Sequence, residues 1–489
     1  MYTRLVSLGL AVTLLHAVSG QNLSAADIST VTTRLAEGAT HSWELGTRSE
    51  ASLELYAPNF SVFTSTQLPP STTIPSNTTS AIAPVFSIAR NVVSGRGASN
   101  GNVTGPQPLL RDGSAGDPAS IGVAVLMANW TGQGAADGQD YARAARDQLD
   151  YLLNVVPHTS DGAISHRVAQ VQLWSDSVYM VPPFLAYYGM ITSNTTLITE
   201  AYNQIKLYRN YLRDTNAKNL WKHIVLSNDT SDSPTDEGHW STGNAWAAAG
   251  MLRVLATMKN SQFSKSFSSQ QKDLASWVKE IHTAMYANID STNIFTNYAD
   301  IPISTSGMFY DTASTTLLAS TVYRFSLLWN DHTHLPNAEK CREALYAAGT
   351  ASTSASSSSS KTTTSSAESE KASATGSASE SGSKSASSTS ATMTPPSATP
   401  SPTTAPLTDL VHFTNDGWLT PVVNPNQYGV EGSNSPEGEA FVLKFQAAYS
   451  EWVAGGSVGA NAARRTMTST AGWVGLVGCA VLGGLLAFV

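Results

Sequence analysis

Apolar residues recur at helical spacing over most of the chain. In DYARAARDQLDYLLNVV, Tyr141, Ala145, Leu149, Leu152 and Val156 fall on one face; in QKDLASWVKEIHTAMYA, Leu274, Trp277, Val278, Ile281 and Met285 do the same. The same pattern predicts helices over 26–56, 118–130, 174–189, 196–213, 243–258, 308–329 and 336–347. Several are apolar around much of their circumference, as helices buried on both sides are. A last helix starts near residue 435, where Ser435, Pro436 and Glu437 make an N-cap and first turn for a run through Ala440, Phe441, Phe445 and Tyr449. About ten helices in antiparallel hairpins make the chain all-α, and an α/α barrel or toroid is the closed arrangement that buries their faces.

The periodicity stops in a Ser/Thr-rich tract at 350–406, which lacks the apolar residues needed to offset the entropy of folding. It is expected to be disordered and to carry O-glycans. The residues after it are not a stalk, since Trp418, Phe441, Leu443 and Trp452 are core material. About 45 residues without disulfide or metal are too few for an independent core. The segment 407–453 is therefore expected to pack back onto 21–349, leaving the tract as an insertion within one barrel, because loop-closure cost grows only slowly with length.

Both ends carry targeting patterns. Residues 1–20 combine Arg4, an apolar run and small residues before the cut, which is a cleavable secretory signal. At the other end, small residues and a basic spacer at 454–470 precede an apolar tail at 471–489, the pattern of a GPI-attachment signal; an uncleaved tail anchor is the alternative. Asn461 is the expected attachment residue, with Gly459 beside it. Cys479 lies in the tail, so Cys341 has no partner in the mature chain and the fold must hold without a disulfide. Glycosylation sequons begin at Asn22, Asn59, Asn77, Asn102, Asn129, Asn194 and Asn228, which suits an extracellular, GPI-anchored protein at a plasma membrane or cell wall.

Of the 489 residues 41% are hydrophobic and 13% charged, against roughly 25% charged in a typical soluble domain, with a formal net charge of -8. No basic cluster is present, which argues against nucleic acid as a partner. A monomer that meets an oligosaccharide or a cell-wall polysaccharide, and the membrane through a GPI lipid, is the expected form.

Candidate chemistry centres on VQLWSDSVYMVPPFLAYYG, where Asp176 interrupts an apolar, helix-length run and would share a face with Tyr179 and Met180. A carboxylate in such surroundings must be hydrogen-bonded or titrate upward, and a raised pKa suits a general acid. Around it in sequence stand Asp117 in GDPASIG, His166 and Arg167 in GAISHRV, His223 in LWKHI, and Asn244 between tryptophans in HWSTGNAW. Taken singly these are bland: Asp117 could cap a helix before Pro118, and a lone histidine is more often structural. Together they supply acids, imidazoles, a cation and aromatic platforms, as a carbohydrate site requires. No HExxH, GxSxG or phosphate-binding glycine loop occurs, so no metal and no cofactor are expected.

At these residues the sequence resembles a known family. The order of DPASIGVAVLMANW, GAISHRVAQVQLWSDSVYM, LWKHIVLSN, HWSTGNAW, FYDTASTTLLA and SPEGEAFVLKFQAAYSEW is similar to the unsaturated rhamnogalacturonyl and glucuronyl hydrolases, glycoside hydrolase families 105 and 88. The resemblance implies an (α/α)6 barrel of six hairpins, and an activity on the Δ4,5-unsaturated uronic acid that lyases leave at a chain end. It makes Asp176 the acid/base aspartate and Asp117 the second catalytic aspartate. His166, Arg167 and His223 fall at substrate-contacting positions, and Trp174, Asn244 and Trp246 join them as substrate-binding candidates. One position departs: where the family commonly has an arginine before the Gly-Asn pair, this chain has Thr242, which cannot make a bidentate carboxylate contact. Two other readings stand beside this one. The first is another cell-wall α/α-barrel glycosidase or transglycosidase, such as the fungal mannan-modifying enzymes, whose adjacent Asp-Asp pair is missing here. The second is a catalytically silent, glycan-binding cell-wall mannoprotein. The anchor and tract together suggest a fungal surface.

Overall fold

The computed structural model describes residues 22–348 and 407–460, apart from 65, 229–232 and 408. The expected signal 1–20, the insertion 350–406, Asn461 and the tail 471–489 lie outside the described residues. The α-helices among the described residues are α1 (Ala25–Gly38), α2 (Ser42–Tyr56), α3 (Thr79–Ser99), α4 (Gly122–Trp130), α5 (Gly134–Asp137), α6 (Tyr141–Asn154), α7 (Ser177–Ile191), α8 (Thr195–Leu212), α9 (Ser241–Asn260), α10 (Ser268–Tyr286), α11 (Thr312–Trp329), α12 (Leu335–Leu345) and α13 (Pro436–Ala454). Three short antiparallel ribbons decorate one end: β1 (Leu173–Trp174) with β4 (Ile224–Val225), β2 (Arg213–Asp214) with β3 (Leu220–Trp221), and β5 (Val422–Asn424) with β6 (Gln427–Gly432).

Apart from the single-turn α5, the helices alternate between two rings. The inner ring runs α2, α4, α7, α9, α11, α13, each against the next, and α13 closes onto α2. Outside it α3 backs α2, α6 backs α4, α8 backs α7, α10 backs α9, α12 backs α11 and α1 backs α13. This is the (α/α)6 six-hairpin barrel. Burial follows the ring: α9 buries every residue from Ser241 to Met258, whereas outer α6 buries one face. The described residues on the two sides of 350–403 belong to one compact unit, because α13 fills the gap between α11 and α2. Cys341 is a buried free thiol on α12. No helix among the described residues is long and apolar enough to cross a membrane.

Two predicted elements change, and one helix is new. The helix over 26–56 is two helices broken at Ala39 to His41, where Glu44 Oε2 accepts the Thr40 and His41 N–H groups at 2.8 Å each and caps α2. The predicted helix 174–189 begins only at Ser177, after β1, so Asp176 is the N-cap residue and not a mid-helix acid. Helix α3 was not predicted; its stripe of Ile82, Val85, Phe86, Ile88, Ala89 and Val92 is diluted by Pro84, Gly95, Gly97 and serines.

Two prolines inside α7 shape the wall of the barrel. Pro182 and Pro183 have no N–H, so the carbonyls of Val178 and Tyr179, four residues earlier, lose their helical donors. Arg253 Nη1 on α9 donates to Tyr179 O at 3.1 Å, while Gly250, one turn before, lets α9 approach so closely that a Cβ there would lie 2.1 Å from Val178 O. The obstacle is backbone and cannot rotate away. A Gly250→Ala protein is therefore expected to lose about 2–3 kcal/mol of stability in chemical denaturation; an unchanged midpoint would mean that α7 and α9 slide apart freely.

Candidate active site

The inner helices present their N-termini to one end of the barrel, and residues of these first turns line a cavity of about 420 Å³. Trp43 stands at the start of α2, Asp117 opens the 3-10 turn leading into α4, Asp176 caps α7, Trp240 caps α9 and Glu437 lies in the first turn of α13. His41, Asp112, His166, Arg167, Trp174, Met180, His223, Trp246 and Tyr428 complete most of the lining. Converging N-termini bias such a space toward an anion.

Short backbone pairings hold the loops in place. Ala115 N donates to His166 O at 2.7 Å and His166 N to Gln172 O at 2.8 Å, so GAISHRV is pinned between two segments. Trp174 pairs with Ile224 across β1 and β4, and Ser175 N donates to His223 O at 2.9 Å, which puts Trp174 and His223 side by side. His166 stacks on Trp174 with ring centroids 4.5 Å apart, and Arg167 lies 5.7 Å from the Trp174 ring centre. His166 Nδ1 and Ser177 Oγ are 2.7 Å apart, and His166 Nε2 stands 3.8 Å from Asp117 Oδ1. His223 Nε2 stands 3.6 Å from Asp176 Oδ2.

The carboxyls here are shifted toward their protonated forms. Burial raises the pKa of Asp176, with His223 pulling the other way. Burial, then repulsion from Asp112 and Asp176, pushes Asp117 well above the usual range, and burial with Asp176, Glu44 and Asp311 nearby does the same to Glu437. Burial, followed by Arg167 and His223, drives His166 well below the usual imidazole range, so it is neutral at pH 7. Acids crowded into a confined space cannot all ionise. Asp176 is nonetheless reachable, since its side chain keeps 14% of its surface open. It combines a raised pKa, access to the cavity and a helix N-terminus behind it.

Asp117, His166, Arg167, Trp174, Asp176, His223 and Trp246 line one cavity. Asn244 does not. Its side chain is fully buried, its Oδ1 accepts Trp221 N at 2.9 Å and its Nδ2 donates to the Trp221 and Trp240 carbonyls, so it braces the wall and has no atom left for substrate. Thr242 is also fully buried and donates to Asp311 Oδ2 at 2.6 Å, which itself caps α11. Among the described lining residues Arg167 is the one with a permanent positive charge. Sequence reasoning missed Trp43, Asp112, Tyr428 and, as a site residue, Glu437. Glu437 read only as a first-turn acid, and nothing local announces that α13 closes the ring beside α2.

Comparison with known proteins gives one family match: residues 118–348 match the model of Glycosyl Hydrolase Family 88. Among solved structures the chain is similar to a family 105 glycoside hydrolase from Clostridium acetobutylicum (TM-score 0.55, 11% identity, covering 86% of this chain and 99% of that one). A possible family 105 member from Klebsiella pneumoniae matches at TM-score 0.55 and 12% identity, covering 91% and 99%. A protein described as a polysaccharide lyase matches at TM-score 0.52 and 12% identity, covering 88% and 98%. At these identities the likeness is one of fold. The comparison with curated proteins found no match.

Proposed function

We infer that this chain, which carries a glycosyl hydrolase family 88 domain, hydrolyses unsaturated uronyl oligosaccharides of the rhamnogalacturonan type by hydrating their vinyl ether. The observation that carries the reading is Asp176: a carboxyl whose pKa burial raises, open to a cavity and faced by His223. In the reaction Asp176 gives its proton to C4 of the C4=C5 double bond, and positive charge develops at C5 and the ring oxygen. Water adds at C5 and returns a proton to the Asp176 carboxylate. The hemiketal opens at the C5–O5 bond, and the hemiacetal left at C1 releases the neighbouring sugar. Arg167, at the rim beside Trp174, is suited to pair with the uronate carboxylate, helped by the helix N-termini. Half-buried Trp174 is suited to offer apolar ring surface to the sugar, while Trp246, 1% exposed and packed on Tyr179 and Phe441, backs the cavity wall. Asp117, neutral and beside His166, is suited to bond ring hydroxyls.

An extracellular, GPI-anchored location on a fungal surface accompanies this proposal, supported by the terminal sequence patterns and by the exposure of all seven sequon asparagines. The test uses residues 22–460 as a secreted protein on lyase-generated unsaturated rhamnogalacturonan and glucuronan oligosaccharides, following the ultraviolet absorbance of the conjugated double bond. Loss of absorbance on at least one substrate is the expected result. A folded protein that binds these sugars but leaves the absorbance unchanged would instead be a glycan-binding protein on a hydrolase fold.

A further inference from the structure

Behind His223 stands an acid for which the reaction above gives no task. Asp236 belongs to an extended segment paired with Ile224, its N–H donating to Ile224 O at 3.0 Å and its carbonyl accepting Ile224 N–H at 2.8 Å, which sets its side chain against His223. Asp236 Oδ2 lies 2.8 Å from His223 Nδ1 and accepts the Tyr298 hydroxyl at 2.8 Å, while Oδ1 accepts Gly238 N–H at 3.0 Å. The His223 ring is wholly buried, edge-on to Tyr428 at 4.5 Å and tilted over Trp240 at 4.4 Å, so its orientation is fixed. Its Nε2 has no hydrogen-bond partner among the described residues and faces Asp176.

We propose that Asp236 is a positioning residue that sets the tautomer of His223, with the proton on Nδ1 toward Asp236 and a bare Nε2 toward Asp176, so that Asp176 keeps its proton until substrate takes it. This deepens the hydrolase reading and rests on it. Burial alone would raise the pKa of Asp236, but the hydrogen bonds it accepts from His223, Tyr298 and Gly238 hold it below the usual carboxylate range. An ionised carboxylate only accepts, so the shared proton belongs to Nδ1. A bare Nε2 cannot donate to Asp176 and does not favour its ionised form. Were the hydrogen on Nε2, it would bond the Asp176 carboxylate and lower its pKa, leaving no proton to give. The titratable neighbours in this balance are Asp236, His166 and Tyr428 around His223, and Asp117, Asp236, Glu437, Tyr208 and Tyr428 around Asp176.

Asp236→Asn tests the proposal. Gly238 N–H keeps an oxygen at the Oδ1 position, so the new amide NH2 takes the place of Oδ2, donates to Nδ1 and forces the proton onto Nε2. The imidazole 15N shifts of His223, assigned by their loss in His223→Gln, should report Nδ1–H in the wild type and Nε2–H in Asp236→Asn. With unsaturated substrate, kcat should fall about 100-fold with KM within about 3-fold, and the alkaline limb of the pH profile should move to lower pH, while Asp236→Glu recovers part of kcat. Nε2–H in the wild type, or an unchanged tautomer in Asp236→Asn, overturns the proposal. The wild-type tautomer is read without Asp236→Asn, so failure of that variant to fold does not shelter the proposal. A protein with no turnover but the expected tautomers would sink the hydrolase reading alone.

Discussion

Asp176→Asn is expected to lower kcat on unsaturated uronyl oligosaccharides by about 1,000-fold, the range a lost general acid commands, while KM moves little. The amide keeps the shape of the carboxyl but has no acidic proton to deliver and cannot take one back from water. Folding should not suffer. Burial holds the Asp176 pKa above its unfolded value, so the stability this group contributes is present below the unfolded pKa and lost as pH rises through the folded one. At neutral pH the carboxyl is therefore a net cost, and the variant should melt at or above the wild-type temperature. In the wild type, turnover should fall as pH rises through the same raised pKa. A variant that keeps more than about a tenth of wild-type kcat would remove Asp176 from the acid role, whatever the fold.

Outer helices were the legible part of the fold, and the reason is solvent. α6 and α10 show one apolar face each because their other face meets water, which leaves a pattern to read. Inner helices such as α9 and α11 are buried nearly all round, so their sequences give length but no orientation. α3, at 21 residues the longest helix among the described residues, went unseen because proline and glycines break its stripe. At the site, Asp117, His166, Trp174, Asp176 and His223 stood out as polar or aromatic residues in apolar company. The helix start at Ser177 did not, since Trp174 and Ser175 carry no stop signal against the apolar run that follows. Tyr428 and Glu437 reach the cavity from beyond the insertion, through a ring closure that no local pattern encodes. Asn244 shows the opposite error: aromatic neighbours made it look like a sugar contact, when its amide is spent on the backbone of Trp221 and Trp240.

Below the cavity the barrel core holds charges that a hydrophobic pattern assigns to solvent. Glu54 on α2 receives Lys444 Nζ from α13 on one oxygen, and Arg324 Nη2 and Nε from α11 on the other, at 3.0 and 3.2 Å. Arg324 also meets Glu451, and Arg253 Nη2 on α9 meets Glu50 Oε1 at 2.5 Å. Glu54 is 1% exposed and its two cations 4–5%, so solvent cannot take over if a partner leaves. Burial works to raise the Glu54 pKa, yet Lys444 and Arg324 hold it below the usual glutamate range. Its stabilisation is thus present above the unfolded pKa and lost as pH falls through the lower, folded one. Glu54→Gln is expected to cost about 3–5 kcal/mol in denaturant unfolding at neutral pH, mostly as the penalty of leaving buried Lys444 without its carboxylate and Arg324 with Glu451 alone. That attribution makes a second, sharper demand: Lys444→Met added to Glu54→Leu should recover part of the loss, since the pair removed together leaves less charge unpaired. Failure to recover would mean that the three inner helices need the ions for their register. In that case the variants would also displace the first turns of α2, α11 and α13, which bring Trp43, Asp311 and Glu437 to the cavity end of the barrel, and kcat would fall with stability.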